Sequence, residues 1–429
     1  MESITIVGGS IGCLVAASEA ARAGRHVRLV APRRGLGSGF SSVDAGGRRV
    51  DLGARLIEVA DEVPPPLDGK WLPGRARELS GHVMVYVEAL LGAPLTALPQ
   101  AKLAVNGHVA DDFLATLDLS SLPDLLDAEE ISLMHRQAED LEWSPEGTIA
   151  GASLACHGEA FHRRFVASRA EKLLPARWRH VGADVRHRLW APLFHPTTLR
   201  AGLEGRIERG RAPVQYFAPA SGVFGDVVDA LRARVESSVE LVLYDHLYAL
   251  RAGALEIDSR VVPIAGELVL GVSFSELARL AGHAEDVEPM TLDLAWLEVA
   301  ADDVLVDAAY VNVMDAANPA YRISFGGAVP EGRRVVCVEL AAGAADRALP
   351  AAVDAGVVRP GADAVVLRTM ERVHVSAPTD KNRWLVTRAK AALPPARYIG
   401  SVRDLRADTF AEHVLQGLAL GADAVRRAA

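Results

Sequence analysis

The sequence predicts an α/β protein in which a parallel sheet flanked by helices is assembled from discontinuous segments. A second part combines helices with an antiparallel sheet. Three observations support this prediction. Residues 4–35 have the pattern of strand, glycine turn, helix and strand, residues 291–340 contain short alternating strands, and residues 396–428 have the pattern of a strand and an amphipathic helix. The two chain ends are therefore expected to meet.

The N-terminal segment has the pattern of a buried parallel strand that leads into a helix. Residues 3–8 are small, β-branched and apolar, and residues 10–23 carry apolar residues at helical spacing until Gly24 ends the helix. Residues 26–31 form the second predicted strand. Residues 35–54 are rich in glycine and then alternate, which predicts a loop followed by a short strand.

The middle of the chain, from about residue 63 to 210, is predicted to be mostly helical, with proline-rich breaks. A return helix is predicted at 223–236, and strands within 240–275. Alternating stretches predict an antiparallel sheet; they are residues 291–299, 304–314, 320–326 and 333–340. Residues 396–400 predict a final central strand before the C-terminal helix.

The turn after the first strand carries the small residues that a diphosphate requires. A pyrophosphate binds exposed N–H groups at a helix N-terminus, so side chains there must be small. Gly8 occupies the first glycine position of G-x-G-x-x-G, Ser10 the second and Cys13 the third, with Gly9 and Gly12 as further glycines. The turn therefore predicts a dinucleotide site, although alone it also fits a Rossmann-like turn that binds nothing.

The end of the second strand departs from the usual dinucleotide site. A carboxylate there normally accepts hydrogen bonds from the ribose hydroxyls, and this sequence has Ala31 instead. Arg33 and Arg34 follow at once, and such a pattern suits the 2′-phosphate of NADP. The same two arginines also fit a solvated strand end.

Several motifs resemble one group of FAD-dependent enzymes. "IVGGSIGCLVAA" is similar to the opening of FAD-dependent hydroxylases. "GLGSGFSSVDAGGRRVDLGARLIE" resembles the second glycine motif of flavin amine oxidases, protoporphyrinogen oxidases and UDP-galactopyranose mutases. "NPAYRISFGG" resembles their strand that carries an arginine, and "ARYIGSVRDLRADTFAEHVLQGLALG" their C-terminal flavin-contact strand and helix. The resemblance implies an FAD-type Rossmann domain from discontinuous segments, with a mixed helical and antiparallel-sheet substrate domain.

The turn and the resemblance together predict a cofactor-binding set of small residues, arginines and a helix N-terminus. Its members are Gly8, Gly9, Ser10, Ile11, Gly12, Arg33, Arg34, Gly37, Gly39, Gly53, Ala54, Arg55, Gly400, Asp408, Thr409 and Phe410. Ala31 and Ser401 stand where relatives carry carboxylates. Each lost charge-assisted bond costs roughly 1.5–3 kcal/mol. We therefore expect FAD to bind weakly unless other contacts replace them.

The chain divides into two predicted domains. Residues 1–62, 215–275 and 365–429 form the dinucleotide-binding domain of the FAD type. Residues 63–214 and 276–364 form the substrate or cap domain. Such a division, with both chain ends in one domain, follows from the implied meeting of the two end motifs around one cofactor.

Three side chains are candidate catalytic residues. Arg55 follows the "DLGA" motif, close to where the flavin ring lies in relatives, and is a candidate to anchor an anionic substrate. Arg322 lies on an alternating strand and is a candidate to clamp a carboxylate or phosphate. His195, between two prolines in "PLFHPTTL", is a candidate general base. Each also fits a structural role, as a salt bridge, a rim charge or a structural histidine.

The composition excludes several classes of partner. Net charge is −9 with dispersed basic residues, so no nucleic-acid partner is expected. The three cysteines are isolated and the histidines lack zinc-ligand spacing, so neither a disulfide framework nor a metal site is predicted. No signal peptide or apolar stretch long enough to span a membrane is visible, and a cytoplasmic location is expected. A homodimer stays open.

The function predicted from these features is a flavin-dependent oxidoreductase of the amine oxidase type that acts on a small molecule. Three alternatives stay open. One is a redox-neutral flavoenzyme resembling UDP-galactopyranose mutase, and another is an NADP-dependent enzyme that uses Arg33 and Arg34. The last is a protein that kept the FAD-binding fold, lost the flavin, and serves as a cofactor-free enzyme or a binding protein.

Overall fold

A computed structural model describes residues 2–59, 76–116, 118–189, 191–207, 214–327, 331–403, 405 and 409–428. The strands in these ranges, in chain order, are β1 (Ser3–Val7), β2 (His26–Pro32), β3 (Ser42–Ala45), β4 (Arg48–Asp51), β5 (Ile57–Val59), β6 (Thr96–Leu98), β7 (Lys102–Val105), β8 (His108–Asp111), β9 (Gln215–Ala218), β10 (Glu240–Tyr244), β11 (Leu247–Arg251), β12 (Ala254–Ile257), β13 (Arg260–Pro263), β14 (Glu267–Leu270), β15 (Pro289–Ala300), β16 (Tyr310–Val313), β17 (Ala320–Phe325), β18 (Arg333–Ala341), β19 (Ala364–Ser376) and β20 (Arg397–Tyr398).

The α-helices in the described ranges are α1 (Ile11–Arg22), α2 (Ala76–Leu91), α3 (Phe113–Thr116), α4 (Leu122–Leu125), α5 (Ala128–Ala138), α6 (Ile149–Phe161), α7 (Ser168–Leu173), α8 (Pro196–Leu203), α9 (Gly225–Ser238), α10 (Phe274–Leu280), α11 (Ala348–Asp354), α12 (Asp380–Ala392) and α13 (Phe410–Ala428). A π-helical segment, His162–Ala167, joins α6 to α7. Among the described helices, none is long and apolar enough to cross a bilayer.

The first sheet is parallel and has the strand order β10-β2-β1-β14-β20. Its strands are mostly apolar because both faces are covered, by α1, α9 and α13 on one side and by α10 and α12 on the other. The predictions for β1, α1, β2 and the C-terminal helix are confirmed. The predicted central strand at 396–400 is wrong in position, because among the described strands β20 lies at the sheet edge and pairs with β14 alone.

The second sheet has seven strands in the order β19-β15-β18-β17-β16-β7-β8. Most neighbours are antiparallel as predicted, but β16 runs parallel to β7, so the sheet is mixed. The predicted strand at 304–314 is shorter than expected. The strand β16 covers only Tyr310–Val313, Val304 makes an isolated bridge to Val358, and Leu305 is half exposed. The hairpin β7–β8 lies within the stretch predicted to be mostly helical. Its Asn106–Gly107 turn, with positive φ at both residues, is the sequence signal that this prediction missed.

The remaining described strands form three smaller sheets. Strands β5, β9 and β6 form one antiparallel sheet, β11, β12 and β13 form another, and β3 pairs with β4. The sequence division at residue 365 places β19 with the dinucleotide-binding segments, whereas the structure pairs β19 along its length with β15. One face of the seven-stranded sheet packs on α11. The face that carries Asn312, Arg322 and Glu339 looks away from α11 and holds most of the charged residues discussed below.

Candidate functional site

The glycine turn between β1 and α1 has the geometry of an anion-binding helix N-terminus. Ser10 is the N-cap, and its hydroxyl accepts a hydrogen bond from the Cys13 N–H at 3.3 Å. Gly8 has φ +131°, and a Cβ there would lie 2.3 Å from the Gly271 carbonyl oxygen. Because the first N–H groups of a helix lack intrahelical partners, α1 can present Ile11 and Gly12 amides to a negative group.

The two chain ends meet at this turn. A Cβ on Gly400 would lie 3.4 Å from the Ser10 hydroxyl, and a Cβ on Gly12 would lie 3.2 Å from the carbonyl oxygen of His413 in α13. Phe410 begins α13 and is almost fully buried. Thr409 precedes it, is exposed, and donates from its N–H to Glu412 at 2.9 Å. Asp408 lies outside the described residues.

The turn is covered by residues of its own chain. Residues 8–12 are all buried. The Gly37 N–H donates to the Gly9 carbonyl at 2.7 Å, and a Cβ on Gly9 would lie 3.1 Å from the Pro32 ring. On the other side, Phe40 contacts Phe410 with ring centroids 5.5 Å apart. The small residues therefore fit a diphosphate in kind, and the loop at 35–40 packs directly against the turn.

The ribose end of the site fits a dinucleotide less well. Ala31 is fully buried in the core beside α1, so no acceptor is present at its position. Arg33 is half exposed and its Nε lies 3.3 Å from Asp245 at the end of β10. Arg34 is exposed. The pairing of Arg33 with a carboxylate weakens the alternative in which both arginines serve a 2′-phosphate.

The loop after β4 holds the residues of the "DLGA" motif. Asp51 accepts from the Phe224 N–H at 2.7 Å and the Gly225 N–H at 3.1 Å, so it caps α9. Burial raises the pKa of Asp51 to about 6, against the lowering effect of these two bonds. Gly37 packs on the same helix, where a Cβ would lie 2.4 Å from Val228. The aspartate of the motif is thus structural.

Arg55 lies where this loop meets the glycine-rich loop. Its Nε donates to the Gly39 carbonyl at 2.6 Å and its Nη1 to the Ala54 carbonyl at 2.9 Å. Its guanidinium carbon lies 5.3 Å from the centroid of the Phe40 ring. Arg55 is partly exposed. Burial lowers the pKa of Arg55, Glu339 raises it and Arg322 lowers it, so the three charges lie within reach of one another.

Arg322 and Glu339 form a buried bidentate ion pair. Arg322 Nε and Nη2 lie 2.6 and 2.8 Å from the two carboxylate oxygens. The Tyr321 hydroxyl and the Ala54 N–H also donate to this carboxylate. Burial opposes the charge on Glu339, but Arg322 and these donors outweigh it and hold the pKa of Glu339 below its usual value. Arg322 is therefore held inside the protein and is not a rim charge.

More charged groups lie on the same face of the seven-stranded sheet. Asp112 is fully buried and accepts from Asn312 Nδ2 at 2.7 Å, and burial raises the pKa of Asp112 to about 6. Arg169 on α7 is buried beside it. Lys172, one turn further along α7, donates to the carbonyls of Val313 and Ala320, and burial together with Arg169 lowers the pKa of Lys172 to about 7.

The sheet of β5, β9 and β6 contacts the charged face of the seven-stranded sheet through Tyr216. Glu58 on β5 pairs in register with Tyr216 on β9, whose hydroxyl lies 3.3 Å from that of Tyr310. Burial raises the pKa of Glu58, while Arg322 lowers it and Asp112 raises it. Of these residues, Arg322 alone was predicted from the sequence as a site residue. One signal was present: Arg169 and Lys172 stand three residues apart, which places two cations on one helix face.

His195 is not brought to this region. It is exposed and caps α8, with Nδ1 2.8 Å from the Thr197 hydroxyl and 3.3 Å from the Thr197 N–H. Its ring lies 5.4 Å from that of Trp143, at the surface. This geometry supports a structural role for His195 and gives no support to a general base.

A different histidine, His157 on α6, is buried beside Phe194, the residue that precedes His195. Its Nδ1 lies 3.1 Å from the Ser153 hydroxyl, and its Nε2 accepts from the Phe194 N–H at 2.7 Å. Burial, reinforced by nearby His162, lowers the pKa of His157 to about 3. Within the described residues, no group of three or more His, Cys, Asp or Glu side chains could hold a metal ion.

We expect acid to destabilise the protein through His157. Burial requires the neutral imidazole of His157 in the folded state. The stability that depends on this neutral form is fully present above the unfolded pKa of about 6.5 and is lost as pH falls towards 3. The full loss is on the order of 4 kcal/mol. Urea unfolding at pH 7, 5 and 4, with His157→Gln as the non-titrating control, measures it. Equal pH dependence in both proteins would contradict this account.

Comparison with known proteins supports the fold. Residues 6–64 match the family described as an NAD(P)-binding Rossmann-like domain. The chain is similar to the crystal structure of reduced UDP-galactopyranose mutase, with TM-score 0.76 and 15% identity, covering 100% of this chain and 96% of that one. No curated protein matches the sequence.

Two further structures are similar over nearly the whole chain. Cyclohexylamine oxidase from Brevibacterium oxydans IH-35A has TM-score 0.56 and 14% identity, covering 100% of this chain and 99% of that one. The CLA-producing fatty acid isomerase from P. acnes has TM-score 0.59 and 11% identity, covering 99% and 98%. The chain thus shares the fold of these three structures, and an α/β fold with a Rossmann-like domain is confirmed as the sequence resemblance predicted.

Proposed function

We propose that the protein is a flavin-dependent oxidoreductase that acts on a small molecule bearing an anionic group. The observation that carries this proposal is Arg55. Its partly exposed guanidinium lies where the two glycine loops meet, next to the buried Arg322–Glu339 pair. FAD, when bound, supplies an acceptor for hydride. The protein's own part is to bind and orient the substrate.

The charges around Arg55 favour an anion over an alkylammonium ion. Arg55, Arg169 and Arg322 supply three guanidinium groups. The carboxylate of Glu339 already pairs with Arg322, and burial raises the pKa of Asp112 to about 6. A cationic amine placed beside Arg55 would be repelled by its guanidinium. If the enzyme is of the predicted amine oxidase type, its substrate is therefore an amine that also carries a carboxylate or phosphate.

Two alternatives keep specific support. Of the three structures compared above, UDP-galactopyranose mutase has the highest TM-score, and this favours a redox-neutral flavoenzyme. The burial of residues 8–12 under the chain's own loop favours a protein that has lost the flavin. Anaerobic incubation with a substrate separates the first alternative, since a redox-neutral reaction leaves no net reduced flavin.

The test of the proposal is FAD uptake followed by anion binding. We expect added FAD to raise the melting temperature of the protein and to show the absorbance spectrum of a bound flavin. Benzoate, a simple anionic probe, is then expected to shift that spectrum. Arg55→Met is expected to weaken benzoate binding about 10-fold or more, because a charge-assisted bond is lost. The control is Arg33→Met, because Arg33 pairs with Asp245 at the surface.

The outcomes separate the candidates. A protein that stays colourless and does not change its melting temperature with excess FAD contradicts the proposal and supports the flavin-free alternative. If Arg33→Met weakens NADP binding, the NADP alternative gains support instead. Benzoate affinity that is equal in Arg55→Met and in the unchanged protein would remove Arg55 from the site.

A further inference from the structure

The carboxylate of Glu339 connects two distant parts of the chain. On the seven-stranded sheet it binds Arg322 through both oxygens and accepts from the Tyr321 hydroxyl. On the other side, its Oε1 accepts from the N–H of Ala54 at 3.0 Å, in the loop after β4. Its side chain is 3% exposed, so water does not compete for these contacts.

The loop approaches this carboxylate very closely at Gly53. A Cβ at this position would lie 2.8 Å from the carboxyl carbon of Glu339 and 2.9 and 3.0 Å from its oxygens. Gly53 also has φ +80°, a conformation that disfavours any L side chain. Both the space and the backbone conformation therefore require glycine where the loop rests on the carboxylate.

Arg55 takes its position from the same loop. Its Nη1 binds the carbonyl of Ala54, whose N–H is the group that Glu339 accepts from. Its Nε binds Gly39 and its guanidinium lies over Phe40. A shift of the peptide groups on either side of Ala54 thus moves the guanidinium of Arg55 relative to the sheet.

We propose that Glu339 is a positioning residue that fixes the loop Gly53–Arg55, and through it the guanidinium of Arg55, against the seven-stranded sheet. The inference rests on the proposed function only where Arg55 is the group that binds the anion. The positioning itself is a property of the chain and can be measured without FAD.

The first test removes the ion pair as a unit. In Arg322→Met/Glu339→Met both charges are replaced by apolar side chains, so that no buried charge is left alone and the fold is retained. Hydrogen–deuterium exchange is then measured on the peptide that covers the loop. We expect the Ala54 amide to exchange about 10-fold faster or more, because its bond to a charged acceptor is lost, while α1 and α9 keep their protection.

The second test moves the loop without touching Glu339. Gly53→Ala places a methyl group against the carboxylate and is expected to raise exchange in the same peptide. Gly282→Ala is the matched control, because Gly282 also has φ +80° but no atom lies within 4 Å of a Cβ there. The backbone strain is the same in both variants, and only the contact with Glu339 differs.

The readouts distinguish this proposal from the proposed function. Unchanged exchange of the loop in both the double variant and Gly53→Ala, with the fold intact, overturns the positioning role. Faster exchange in both, but not in Gly282→Ala, supports it even if FAD never binds. Where FAD does bind, Gly53→Ala is also expected to weaken benzoate binding about 10-fold, and an unchanged affinity would show that Glu339 does not act through Arg55.

Discussion

Glu339→Ala is expected to lower the free energy of unfolding by about 3–5 kcal/mol. The substitution leaves the guanidinium of Arg322, 8% exposed at its side chain, without the carboxylate that its Nε and Nη2 contact. A buried charge that loses its partner keeps its desolvation cost and loses the compensating attraction. Chemical denaturation at pH 7 measures the change.

Two controls show whether the missing partner is the cause. Glu298→Ala removes a carboxylate whose partners, Arg48 and Arg333, are partly exposed, and it should cost about 1 kcal/mol or less. Arg322→Met/Glu339→Met should recover most of the stability that Glu339→Ala loses, because no charge remains buried alone. If the double variant is as unstable as Glu339→Ala, packing and not charge pairing explains the loss.

Gly8→Ala is expected to be strongly destabilising, because it forces a methyl group against the backbone of the parallel sheet. The new Cβ would lie 2.3 Å from the Gly271 carbonyl oxygen and 2.8 Å from the Val272 nitrogen, both backbone atoms that follow β14. Since β14 pairs with β1, neither can move away without breaking the sheet. Strain at φ +131° and the overpacking each cost about 1–3 kcal/mol.

Gly35→Ala separates these two costs. Gly35 has φ +94° but no atom within 4 Å of a Cβ, so this variant carries strain without the clash. Melting temperatures of the two variants and their uptake of FAD are the measurements. We expect Gly8→Ala alone to lose FAD uptake, because the turn cannot keep its shape. Equal melting temperatures would contradict the argument.

The local elements at the chain ends could be predicted because local sequence decides them. A β-branched apolar run, a small-residue turn and a helix ended by Gly24 appear in the structure where expected. The meeting of Gly400 with Ser10 followed from a resemblance of both ends to one group. The hairpin at Asn106 and Gly107 was also readable, since that dipeptide specifies the turn.

The centre of the site could not be predicted in this way. Glu339 lies in an apolar strand, and nothing nearby in sequence indicates that Ala54 and Tyr321 donate to it. Asp112 and Arg169 have no local motif, because their charges matter only through neighbours on other elements. His195 stays a prediction: its proline neighbours marked it in the sequence, and in the structure it contacts the hydroxyl and N–H of Thr197.

Local sequence specifies the order of strands and helices at the two ends, the small-residue turn before α1 and the class of fold, because turn conformation and hydrophobic periodicity are properties of neighbouring residues. The folded chain is needed to see which charges share one buried face, that Arg322 is held by Glu339, and that Asp51 caps a helix. Those outcomes depend on distances between segments far apart in the chain, and on the removal of water from between them, which no local pattern encodes.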